Sequence, residues 1–174
     1  MKKIIFSFLA LTMVSFGFAQ VEGEEGTVEL EGVTVSPVNL AYQYAVIDPE
    51  MPPSVQNLQK EVARYDVTEM PTYNGRFEAY EVIFEQFNGS IIATYDGDGK
   101  IMNSFERFKD ITLPLKVRQH IAKENPGWLI HKDVYMVSYY DDKELKKICK
   151  VKLLKDGQKR SLKFDLEKFD QSMN

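Results

Sequence analysis

Glycine-containing turns frame this chain. Asn74-Gly75, Asn88-Gly89, Asp96-Gly97-Asp98-Gly99 and Asp156-Gly157 punctuate runs in which apolar and polar residues alternate. That combination closes antiparallel hairpins, because glycine and asparagine take positive φ at little cost and period-two alternation suits a half-buried strand. The first runs are 77–87, with Tyr80, Val82 and Phe84 on one parity, then 90–95 and 100–108. Later runs are 128–131, 134–140 with Tyr135, Val137 and Tyr139 on one parity, 145–154 and 159–165.

Helical periodicity precedes each group. Pro49, Pro52 and Pro53 break the chain before Val55, Leu58 and Val62, whose spacing predicts an amphipathic helix over 53–64. A short segment at 66–71 separates it from the first strands. Leu113-Pro114 similarly precedes Val117 and Ile121, in a helix ending near Asn125-Pro126-Gly127. The recurring order points to an α+β fold of two tandem repeats, each a helix packed on an antiparallel meander. The repeats are placed at 51–110 and 111–166, with a tail at 167–174.

The segments Ala93-Thr94-Tyr95-Asp96-Gly97-Asp98-Gly99-Lys100-Ile101, Leu113-Pro114-Leu115-Lys116-Val117 and Asn125-Pro126-Gly127, in this order, resemble the PepSY-like family of exported bacterial proteins. The tandem form of that family is similar to the β-lactamase-inhibitor-protein fold. The likeness covers about 51–166. It implies a helix on four antiparallel strands in each repeat and a binding or inhibitory role outside the cytoplasm. It carries over no catalytic residues. The β-lactamase inhibitor is disulfide-bonded, whereas this chain has a single cysteine, so a shared target does not follow.

The N-terminus reads as a secretory signal peptide, 1–19. Lys2 and Lys3 precede a largely apolar stretch, 4–18, and Gly17 and Ala19 are small enough for signal peptidase. The apolar stretch falls short of the roughly 20 residues that span a bilayer, so no stable membrane anchor is expected after cleavage. Cys149 is the only cysteine, which leaves no lipid-bearing cysteine at the cleavage site and no internal disulfide. The expected location is periplasmic or secreted. Residues 20–50 read as a flexible acidic leader with a short strand at 27–35. The whole chain has a net charge of −4, and losing Lys2 and Lys3 makes it more negative. Nucleic acid is therefore not an expected partner.

No catalytic constellation emerges. A zinc site needs about three or four converging ligands, and the soft candidates are only His120 on a helix surface, His131 on a strand and Cys149. Cys149 shares parity with Val151 and Leu153, the pattern of a buried thiol. Asp96 and Asp98 suggest calcium, but Lys100 stands where a third oxygen ligand belongs, so a hairpin turn is the better reading. The chain lacks a Gly-x-Ser-x-Gly elbow and a phosphate-binding glycine loop. The expectation is a non-enzyme without metal or cofactor. The alternatives are a small cell-envelope hydrolase and a self-associating structural envelope protein.

Lysines crowd the last hairpin, among them Lys150, Lys152, Lys159 and Lys163; they suit either an acidic partner or a soluble sheet edge. The strands also carry apolar residues on their second parity: Phe77, Ile83 and Phe87 in the first group, Val134, Met136 and Tyr140 in the second. A sheet with helices on one side needs only one apolar face. These six are the candidate contact residues for a protein partner outside the cytoplasm. A contact between the repeats, or a homo-oligomer, is the competing use of the same side chains.

Overall fold

The computed structural model describes residues 39–173. The expected signal peptide, most of the leader and the strand at 27–35 lie outside the described residues.

Among the described residues six strands form one antiparallel sheet in chain order: β1 (Ala79–Gln86), β2 (Gly89–Asp96), β3 (Ile101–Lys109), β4 (Leu129–Tyr140), β5 (Lys146–Lys155) and β6 (Gln158–Asp165). This overturns the expected pair of helix-plus-four-strand repeats. β3 pairs directly with β4, from Asn103 opposite Tyr140 to Lys109 opposite Val134, so the two groups of strands fuse into a single meander. The expected strands at 128–131 and 134–140 are one strand, because His131 is an extra residue bulged between the pairs Ile130–Leu153 and Lys132–Lys152. The segment at 66–71 contains a 3₁₀ turn, Val67–Glu69, in which the Asp66 carboxylate accepts from the Thr68 N–H at 2.9 Å.

Among the described residues four helices accompany the sheet: α1 (Leu40–Val46), α2 (Pro53–Arg64), α3 (Leu115–Glu124) and α4 (Leu166–Met173). α1 falls within the segment read as a leader, and α4 within the segment read as a tail. Pro53 opens α2 where its missing N–H costs nothing. Val55, Leu58, Val62 and Ala63 turn to the sheet, and the Tyr95 hydroxyl donates to the Val62 carbonyl at 2.8 Å. Asn125 closes α3 by donating to the Ile121 carbonyl at 3.1 Å, while Arg160 donates to Asn125 at 2.6 Å and stacks on Trp128. Gly127, at φ 80°, then turns the chain into β4.

All four helices pack on the same sheet face. Tyr42 of α1 meets Tyr139 edge-on, His120 of α3 meets Phe164 edge-on, and Lys147 of β5 pairs with Glu167 of α4 at 3.6 Å. His120 is accordingly half-buried between Phe164 and Phe169 rather than a surface residue. The core between the layers takes Ile91, Tyr95, Phe108, Tyr135, Val137, Val151 and Leu153, together with Cys149. At Gly89 the Phe108 ring lies where a Cβ would stand, so a side chain there would displace core packing.

Within that core lies Glu106, 3% exposed. Its carboxylate accepts from Tyr42 of α1 at 2.8 Å, Gln59 of α2 at 2.7 Å and Ser104 of β3 at 3.3 Å. Burial raises its pKa above the ordinary glutamate value, and the Gln59, Tyr42 and Ser104 donors oppose the rise. Replacing it with leucine would leave those donors buried and unpaired. Glu106→Leu should lower unfolding free energy by about 3 kcal/mol in urea titration, and Glu106→Gln, which keeps an acceptor without the charge, by less than half as much.

Candidate functional site

The other face of the sheet carries no helix among the described residues. Strand register sets its rows. Ile83, Ile92 and Phe105 are neighbours across β1, β2 and β3, and Tyr140 meets the Phe105 ring edge-on at 5.7 Å. Ile83 is 58% and Phe105 47% exposed. Glu81 and Glu85 flank Ile83 along β1.

The opposite half of the face is basic. Lys109, Val134 and Lys150 form one row across β3, β4 and β5; Arg107, Met136 and Ile148 form the next; Lys132 lies opposite Lys152. The long cationic side chains stand on either side of two shorter apolar ones, which creates a depression of about 350 Å³ with Val134 and Met136 among its lining residues. Arg107, Lys109, Lys132, Lys150 and Lys152 are exposed, and none makes an ion pair within the described residues. Asp110 and Asp133 contribute to the same depression. A second hollow, about 370 Å³, adjoins Phe105, Tyr140 and Lys146.

Asp133 belongs to the covered side. It is 6% exposed, and its carboxylate accepts from the Ile111 N–H at 3.1 Å. Burial pushes its pKa up to about 6, with the Ile111 donor opposing and the neighbouring Asp110 adding to the rise. Cys149 is fully buried, and burial lifts its thiol to about 12, far from the thiolate a nucleophile requires. Asp96 accepts from the N–H groups of Asp98 and Lys100 at 3.0 and 2.8 Å, and the Lys100 ammonium pairs with Asp141. The Asp96 carboxylate thus closes the turn on itself. Among the described residues no three His, Cys, Asp or Glu side chains converge as metal ligands. No described helix is long and apolar enough to cross a membrane.

Of the six residues singled out from the sequence, Ile83, Val134, Met136 and Tyr140 share the helix-free face. Phe77 precedes β1 and lies edge-on to Tyr80 at 5.9 Å, while Phe87 sits fully exposed in the β1–β2 turn. The structure thus brings four together and leaves two at opposite ends of β1. Sequence reasoning missed Ile92, Phe105 and Ile148 on this face, although each has the parity opposite to its buried neighbours. It also missed that the lysines of β5 line an interior strand, a fact that depends on non-local pairing.

Two measurements test the two-faced sheet. Ile83→Asp should change unfolding free energy by about 1 kcal/mol, whereas Phe84→Asp, one residue along on the buried face, should cost about 4 kcal/mol and show as loss of cooperative thermal unfolding. Asp133 binds its proton more tightly folded than unfolded, so its contribution to stability grows as pH falls from about 6 toward 4. Urea midpoints of the protein should therefore rise through that window relative to those of Asp133→Asn.

Comparison with protein-family models, with characterised proteins and with solved structures returns no match to this chain, so its chemistry is read from this face alone.

Proposed function

We propose that the chain is an exported, non-catalytic binding module that acts in the periplasm or outside the cell through its helix-free sheet face. One observation carries the reading: the helices cover one face, and the other presents an apolar row beside a basic depression within a single surface. Contiguous exposed apolar side chains rimmed by polar ones favour burial against another molecule. Position 19 and the residues before it supply the argument for export, since a charged start, an apolar stretch and small residues form a signal-peptide pattern. Inhibition follows where the surface so covered is a partner's working site.

The row of Ile83, Ile92 and Phe105 favours a second reading, self-association through stacked sheets, because two such rows interdigitate at the usual spacing of about 10 Å. Chemical crosslinking of the tagged chain in native envelope extract, followed by mass spectrometry, separates the readings. A partner enriched with the unaltered chain and lost with a folded Met136→Asp variant supports the binding module. Crosslinks only to further copies of the chain favour self-association, and identical enrichment with both proteins rules out this face.

A further inference from the structure

The depression on β4 has a geometry that narrows the class of partner. Its floor is one strand wide. β3 and β5 lie on either side, so Lys109 and Lys150 flank Val134 at a separation of about 10 Å between strand centres, and Arg107 stands beside Met136. Along β3, Arg107 and Lys109 are two residues apart; along β5, so are Lys150 and Lys152. That repeat of about 6.7 Å equals the distance between same-face side chains in an extended polypeptide.

Edge protection does not account for these charges. β3 and β5 are interior strands, each paired on both sides, and among the described strands it is the edge strand β6 that carries Lys159, Arg160 and Lys163. The cations have no ion-pair partners among the described residues, and they gather in a chain whose net charge is negative.

We infer that this groove binds an acidic, extended polypeptide segment of a partner protein, its carboxylates on the β3 and β5 cations and an apolar side chain against Val134 and Met136. This rests on the binding-module reading and names the chemistry of its partner. Charge complementarity selects the acidic groups. The apolar floor asks for an aliphatic side chain between them, and its lack of an aromatic ring gives a nucleic-acid base nothing to stack on.

The test uses the full chain and a fluorescein-labelled peptide with the repeat Glu-Ser-Leu-Ser-Glu, followed by fluorescence anisotropy at low and physiological salt. Binding should weaken about tenfold in a Lys109→Glu, Lys150→Glu double variant, and comparably in Met136→Asp. It should be unchanged in Lys123→Glu, a control on α3. Replacing the peptide leucine with serine should also weaken it. The inference is overturned by equal binding to the double variant, by indifference to the leucine, or by tighter binding of a single-stranded oligonucleotide or of phosphatidylglycerol vesicles. A partner crosslinked through Met136 alongside no peptide binding would reject the acidic class and leave the module reading standing. Thermal unfolding of each variant keeps loss of fold apart from loss of binding.

Discussion

The architecture depends on a carboxylate placed where carboxylates seldom belong. Glu106 sits on β3 between Ile91 and Val137, in the layer where helices meet sheet. Removing it from water is costly, and its hydrogen bonds offset that cost only if each donor is in place. Tyr42 must arrive from α1 and Gln59 from α2. An all-apolar layer would accept the helices at several registers, whereas this one favours the arrangement that brings both donors to one carboxylate. Asn39 adds a second constraint at the entry to α1: its amide donates to the Gly99 carbonyl at 3.0 Å and accepts from the Ile101 N–H at 2.8 Å, while its own backbone N–H donates to the Ala63 carbonyl. The helices are thus tied to one face at both the centre and the end of the sheet.

Local signals in the sequence were legible and long-range ones were not. α2 falls on the residues that its prolines and apolar spacing indicate, and the turns at Gly97–Gly99 and Gly157 lie where the glycines predict, because the determining forces act over a few residues. Whether the two groups of strands form two sheets or one depends on β3 finding β4 across the whole of α3, a pairing with no mark in either strand alone. The bulge at His131 hid the continuity of β4, since one extra residue shifts the alternation and makes one strand look like two. α1 was missed for another reason: at seven residues it is too short to stand without the tertiary bonds of Tyr42 and Asn39.

The candidate face was half legible. Parity alone identified Ile83, Val134, Met136 and Tyr140 as apolar residues without a core to enter. The same parity in β3 points to Phe105, but its neighbours Arg107 and Lys109 make that strand read as a plain solvated surface. Only the register, with Lys109 and Lys150 on either side of Val134, turns scattered lysines into the walls of a groove. The lysines of the last hairpin likewise divide by role once β5 is interior and β6 is the edge: those of β6 discourage strand addition, and those of β5 do not.

The titratable groups separate along the same line. Tyr42, Tyr95, Glu106, Asp133, Tyr135 and Cys149 are all displaced chiefly by burial, and all belong to the covered side. Shifted groups gather at catalytic centres when they face a cleft that admits a substrate. Here, five of them are enclosed by core side chains, and Asp133, the one beside a depression, has its carboxylate turned to the Ile111 backbone. Their displacement expresses the dryness of the layer that fixes the helices. The exposed cations on the opposite face respond to a different demand, since a charge in water can be matched by a partner without first being desolvated by the fold. A sheet divided this way keeps its costly electrostatics where they define the structure and leaves its inexpensive electrostatics where they can meet another molecule.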